Sequence, residues 1–202
     1  MQESTKKQYF ETALKRNLDE LCRAQLFWLA LEGLERVESY HAIDFIRLSH
    51  WALYNQMIAH VIKVFVSNKK DAGFKYLYEF DNETSERLTN QLNFKLDTIK
   101  KIEPGLKKIR NKTHFHLDHR GIQVPRKVWE SAGIKWNDLE TAVAAGFNYL
   151  CAMHKEVFGK EYELPYYDGE DSKRIAEHAY EHRLLSPGSP PNPELEKLFS
   201  DD

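Results

Sequence analysis

The sequence predicts an all-α protein, an up-and-down bundle of four principal helices with a short helical insertion and a C-terminal helical and linker extension. Three observations predict it. Apolar residues recur at helical spacing over long stretches, polar turn-prone clusters of modest length separate those stretches, and no segment alternates as a half-buried strand would. With 202 residues and 42% hydrophobic content, the chain suits one main domain, expected over 1–162, with an extension over 163–202.

The elements follow in order. From Lys6 to Tyr40 there is no proline and only Gly33, while Phe10, Leu14, Leu18, Leu21, Trp28 and Leu31 recur at steps of three, four or seven. This spacing predicts one long amphipathic helix, eased at Gly33. From Ala42 to Ser67 one face carries Ile46, Leu53, Met57, Val61 and Val64, and a second carries Trp51, Tyr54, Ile58, Ile62 and Phe65. A helix apolar on two faces belongs in the middle of a bundle. Polar clusters at 68–73 and 81–85 bracket Phe74–Phe80, predicting a short aromatic helix closed off on both sides. Leu88, Leu92, Leu96 and Ile99 predict a third helix over Glu86–Ile102. Pro104 then opens a new helical segment, since proline is tolerated in a first turn. Gly121 to Pro125 reads as a loop, and Asn137-Asp138-Leu139-Glu140 as a capping box starting a helix that ends at Gly159. In the extension, a polar helix is expected around Ser172–Leu185, then a Pro-rich linker from Ser186 to Pro193 and a short acidic end.

Composition excludes several classes. Cys22 and Cys151 form no CxxC pair and sit among apolar neighbours, so they read as buried reduced thiols. The first residues carry charge in place of an apolar signal core, making a cytoplasmic location the expectation. The apolar stretch Leu48–Val66 contains His50, Asn55, Gln56, His60 and Lys63, groups costly in hydrocarbon, so no membrane partner is expected. His50 and His60 read as satisfied, half-buried histidines. Trp28, Trp51 and Tyr54 read as core or interface aromatics.

Chemistry concentrates in Ile109–Arg120, which admits two readings. From His114 it spells His-x-His-x-Asp-His through His116, Asp118 and His119, the spacing with which metallo-β-lactamase-type hydrolases hold two metal ions. Those hydrolases carry the element at the end of a strand, whereas here it follows the basic helical run Leu106–Arg110, so the expected metal set is none. His154, His178 and His182 are the further ligands such a metal site would have to recruit. From Arg110 the stretch reads as arginine, polar residue, four residues, histidine: Arg110, Asn111 and His116.

The second reading fits its context. Two long helices, a short aromatic connection and a helix carrying Arg-polar-x4-His resemble the HEPN superfamily of helical bundles, above all its abortive-infection-type branch, over about Lys6–Gly159. The resemblance implies catalytic roles for Arg110, Asn111 and His116, with His114 and Asp118 as accessories. It implies a metal-independent endoribonuclease of toxin–antitoxin or phage-defence kind, needing no cofactor. The implied partners are RNA, a second copy of the chain completing a composite cleft, and a neutralising antitoxin protein. One departure is Phe115, where the branch often has a small residue, with His114 as a rival histidine; on a regular helix Arg110 and His114 share a face and His116 turns away.

Histidine, with an unperturbed pKa of about 6.5, exchanges protons at neutral pH, and the arginine fork stabilises charge on phosphoryl oxygens. Between Lys95 and Lys127 ten basic residues face three acidic ones in a chain of net charge −2. Lys107, Lys108, Lys112 and Arg120 are the expected RNA contacts in this local excess. The alternative is a noncatalytic member of the same fold that binds nucleotide, RNA or a partner protein through the same cleft. A metal-dependent hydrolase stands third.

Overall fold

In a computed structural model the residues described are 3–37, 42–66, 71–114 and 125–185. Every regular element among them is helical, and the protein is all-α. The elements are α1 (Glu3–Glu35), α2 (Asp44–Phe65), α3 (Phe74–Phe80), α4 (Asn82–Gln91), α5 (Leu96–Ile109), a π turn (Arg110–His114), α6 (Pro125–Ala132), α7 (Trp136–Phe158) and α8 (Glu170–Leu185). None of these helices is long and apolar enough to cross a membrane.

The chain forms two compact units. The first comprises residues up to Cys22 together with Ala59–Leu164; the second comprises Arg23–Ile58 with the described residues from Pro165 onward. In the first, Leu14, Leu18 and Leu21 of α1 are fully buried, as are Ile102, Leu106 and Ile109 of α5 and Leu139 and Leu150 of α7 to within 1%. An aromatic cluster of Phe74, Tyr78, Phe94 and Tyr149 fills the space between α3, the α4–α5 turn and α7, with ring centroids 4.6–6.3 Å apart. In the second unit Leu34, Val37, Ile46 and Ala176 make a small core, flanked by Ile43, Leu53 and Ala179.

Several boundaries differ from the sequence reading. The single helix expected over Glu86–Ile102 is two. Asn93 takes a left-handed conformation at φ 48°, Asn93 N donates to Asn90 O and Phe94 N to Thr89 O, and this closing motif turns the chain. The cluster Asp81–Ser85, expected to close α3, also starts α4: the Asp81 carboxylate accepts from Thr84 N at 3.1 Å and Thr84 Oγ1 at 2.8 Å. Pro104 does not open a helix but lies inside α5. It sits on the exposed face, where water can satisfy the Lys100 carbonyl that proline leaves without a donor. Pro125, read as the end of a loop, is the first position of α6, a helix that the sequence reading left unassigned and in which Val128 is fully buried.

The remaining corrections are smaller. α7 begins at Trp136 after Lys135, so Asn137 is not its cap; its first turn is instead engaged by Lys101 Nζ, which reaches Asp138 Oδ1 at 2.8 Å. α8 starts at Glu170, whose amide donates to the Asp168 carboxylate at 3.0 Å. α1 ends at Glu35, and Tyr40 lies outside the described residues. Gly33 does not ease α1. It brings α1 against the Gly169 backbone, where a Cβ would stand 2.1 Å from the Gly169 carbonyl oxygen. Gly159, at φ 68°, ends α7 where expected.

Candidate functional site

The candidate residues that are described, Lys107, Lys108, Arg110, Asn111 and Lys112, lie at the C-terminal end of α5. This helix buries Ile99, Ile102, Gly105, Leu106 and Ile109 and leaves Lys100, Lys101, Lys107 and Lys108 exposed. The pattern is the amphipathic spacing that fixes which face packs on α6 and α7. Lys108 Nζ donates to the Ser131 carbonyl at the end of α6, 2.9 Å away, so it holds the two helices together as well as adding charge. Lys107 projects from an exposed position one turn before Arg110.

At Arg110 the helix widens. Arg110–His114 form a π turn, a feature that recurs at functional sites because the extra residue per turn re-aims side chains. Arg110 is half-buried, Asn111 exposed and Lys112 half-buried. Arg110 Nε donates to Asn111 Oδ1 at 3.2 Å. The regular α-helical geometry on which Arg110 and His114 would share a face does not hold over Arg110–His114. Arg110, Asn111 and Lys112 are therefore brought together, with Lys107 and Lys108 on the preceding turn. His114 closes the π turn by its backbone; its side chain, and His116, Asp118, His119 and Arg120, lie outside the described residues.

Of the other histidines, His50, His60 and His154 have structural partners. His154 is buried, within hydrogen-bonding distance of the Lys160 carbonyl (Nδ1–O 3.1 Å) and packed against Phe158 and Tyr162. His60 Nδ1 meets Glu20 Oε2 at 2.5 Å, and His50 Nε2 meets Glu35 Oε1 at 2.8 Å, which is the satisfied condition expected of both. His178 is exposed near Glu181. No group of three or more His, Cys, Asp or Glu side chains among the described residues is placed to hold a metal ion.

A cavity missed by the sequence reading lies on the same helix. About 270 Å³ in volume, it is walled by Phe65, Phe74 and Tyr78 on one side and by Leu96, Ile99 and Glu103 of α5 on another, with Lys75, Glu79 and Lys100 at its rim. Gly146 of α7 makes room for the Phe65 ring of that wall, since a Cβ there would stand 2.7 Å from it. In sequence these aromatics are indistinguishable from core. The one signal was Glu103 and Lys100, polar residues one turn apart beside the apolar stripe of α5. A larger cavity of about 680 Å³, between Lys6, Phe10, Phe80 and Glu156, holds none of the candidate residues, and two of its three carboxylates are already engaged, Glu156 by Arg87 and Asp81 by Thr84.

The fold and this basic helix end define an all-α protein with a candidate anion-binding site. Compared with family models, with curated proteins and with solved structures, the chain matches none. The resemblance to HEPN proteins stands on the order of helices and on Arg110, Asn111 and His116 alone.

Proposed function

We propose that the chain is a metal-independent endoribonuclease of the toxin or defence kind. The observation that supports it most is the π turn at Arg110–His114, which sets Arg110 and Asn111 side by side at the end of a helix whose exposed face is basic. Arginine there meets the equatorial oxygens of a phosphodiester, and Asn111 fixes the guanidinium by its 3.2 Å contact. In the proposed reaction His116 takes the proton of the ribose 2′-hydroxyl, and the 2′-oxygen attacks phosphorus. The P–O5′ bond breaks, and the leaving 5′-oxygen takes a proton from a general acid, leaving a 2′,3′-cyclic phosphate. A second copy of the chain, paired so that both motifs line one cleft, supplies that acid as its own histidine.

The test is cleavage of a mixed-sequence RNA by the purified chain in excess EDTA, beside Arg110→Ala and His116→Ala. Cleavage yielding cyclic-phosphate ends is expected to fall about 10²–10³-fold in each variant. A folded wild type that binds RNA without cutting it would transfer the reading to a noncatalytic binding module. Activity only on added metal would transfer it to His114, His116, Asp118 and His119 as ligands.

A further inference from the structure

We propose that the α5 cavity is a guanine pocket that reads one base of the RNA strand whose phosphate lies at Arg110. The base-reading role rests on the ribonuclease reading above; the pocket's capacity for guanine does not.

Size sets the ligand class. Sites for drug-sized molecules span about 300–1,000 Å³, so a cavity of about 270 Å³ suits a single fused ring system. Its walls are aromatic and apolar. Phe65 and Phe74, 2% and 1% exposed, close one side, while Tyr78 is half-buried and has ring area left to offer a stacked base. Sequence-tolerant stacking of this kind accepts any base, so discrimination must come from the polar lining.

That lining is specific. Glu103 is half-buried, lines the cavity and makes no ion pair or hydrogen bond within the described residues, whereas Glu79 lies 3.8 Å from Lys75 and Lys100 3.6 Å from Asp97. A carboxylate presents two acceptor oxygens side by side. Guanine alone among the four RNA bases presents two adjacent donors, N1–H and the 2-amino group, on its pairing edge. Adenine and cytosine set a ring-nitrogen lone pair beside their amino group, and uracil flanks its one N–H with carbonyl oxygens; each would turn an acceptor toward Glu103. Lys75 and Lys100 at the rim complement the phosphate of the same nucleotide.

The pocket and Arg110 share a strand path. At about 100° per residue, Leu96, Ile99, Lys100, Glu103 and Lys107 fall within one arc of about 100° on α5, and Arg110 follows one turn after Lys107. From Lys100 to Arg110 the helix rises about 15 Å, a distance a few nucleotides span, and Lys107 lies exposed between them. A strand held at both points would be cut at a fixed offset from a guanine.

The experiment titrates the full chain with GMP, AMP, CMP and UMP by calorimetry, in wild type, Glu103→Gln and Leu96→Trp, with circular dichroism to confirm folding. GMP is expected to bind at least about tenfold tighter than the others, to lose about tenfold in Glu103→Gln while AMP is unmoved, and to be blocked with all nucleotides in Leu96→Trp, which fills the cavity. Equal affinity for the four, no saturable GMP binding, or GMP affinity unchanged in Glu103→Gln overturns the pocket. RNA cut sites are mapped in parallel. Selective GMP binding without RNA cleavage keeps the pocket and overturns the ribonuclease; cleavage without a fixed guanine offset or GMP selectivity does the reverse.

Discussion

Glu20 shows how a polar residue of α1 is held against two basic side chains from α2. Its carboxylate accepts from His60 Nδ1 at 2.5 Å and from Lys63 Nζ at 3.0 Å. Burial alone would raise the carboxyl, but the hydrogen bonds and charges of His60 and Lys63 outweigh it and hold Glu20 below its usual 4.5. A carboxyl depressed on folding stabilises the native state above its unfolded pKa, and the contribution is lost as pH falls through the folded value. Glu20→Gln is therefore expected to cost about 1–2 kcal/mol at pH 7, with the gap to wild type closing as pH falls below about 4.5 in urea melts. A gap independent of pH would refute the assignment. His60 was legible as a satisfied histidine because it breaks an apolar face, but its partner lies 40 positions away, and no local spacing reveals that. Arg110 was legible by motif; Glu103 was not, because its meaning depends on Phe65, Phe74 and Tyr78 arriving from two other helices.

The α4–α5 boundary is where periodicity misleads. Leu88, Leu92, Leu96 and Ile99 keep helical step, yet Leu92 is 39% exposed while Phe94, off that stripe, is buried among the aromatics. Burying Phe94 decides the local structure, and Asn93 makes the turn possible because a short amide side chain tolerates the left-handed region. Asn93→Gly should hold or raise stability by up to about 1 kcal/mol, and Asn93→Ala should lose about 1 kcal/mol, in denaturant titrations. Equal stability of the two would argue against a strained turn. α3 was legible to its ends because punctuation flanks it on both sides. α6 was not: eight residues beginning at a proline give too little periodicity to separate a helix from a loop.

At the scale of the molecule, α8 is part of a core. Its sequence reads polar, and among its described side chains a single one, Ala176, is buried, at 1% beside Leu34, Val37 and Ile46. Small contacts of this kind leave no mark in a hydropathy pattern. The backbone approach of Gly33 to Gly169, the Arg36–Glu170 ion pair at 2.7 Å and the bond from Arg183 to the Ala42 carbonyl belong to the same unit. Truncation after Leu164 is thus expected to uncover the Leu34–Val37–Ile46 surface, raising binding of a hydrophobic dye and lowering helical content by circular dichroism. A truncated chain with an unchanged melting profile would show that the second unit holds without α8. Finally, the two thiols have a practical consequence. Cys22 is buried away from an alkylating reagent, and burial with the nearby Glu161 charge pushes the Cys151 thiol up to about 11, so at neutral pH Cys151 offers little thiolate. A single cysteine introduced on the rim of the α5 cavity would thus take a fluorescent label selectively in the otherwise native chain, giving a direct optical report on what enters there.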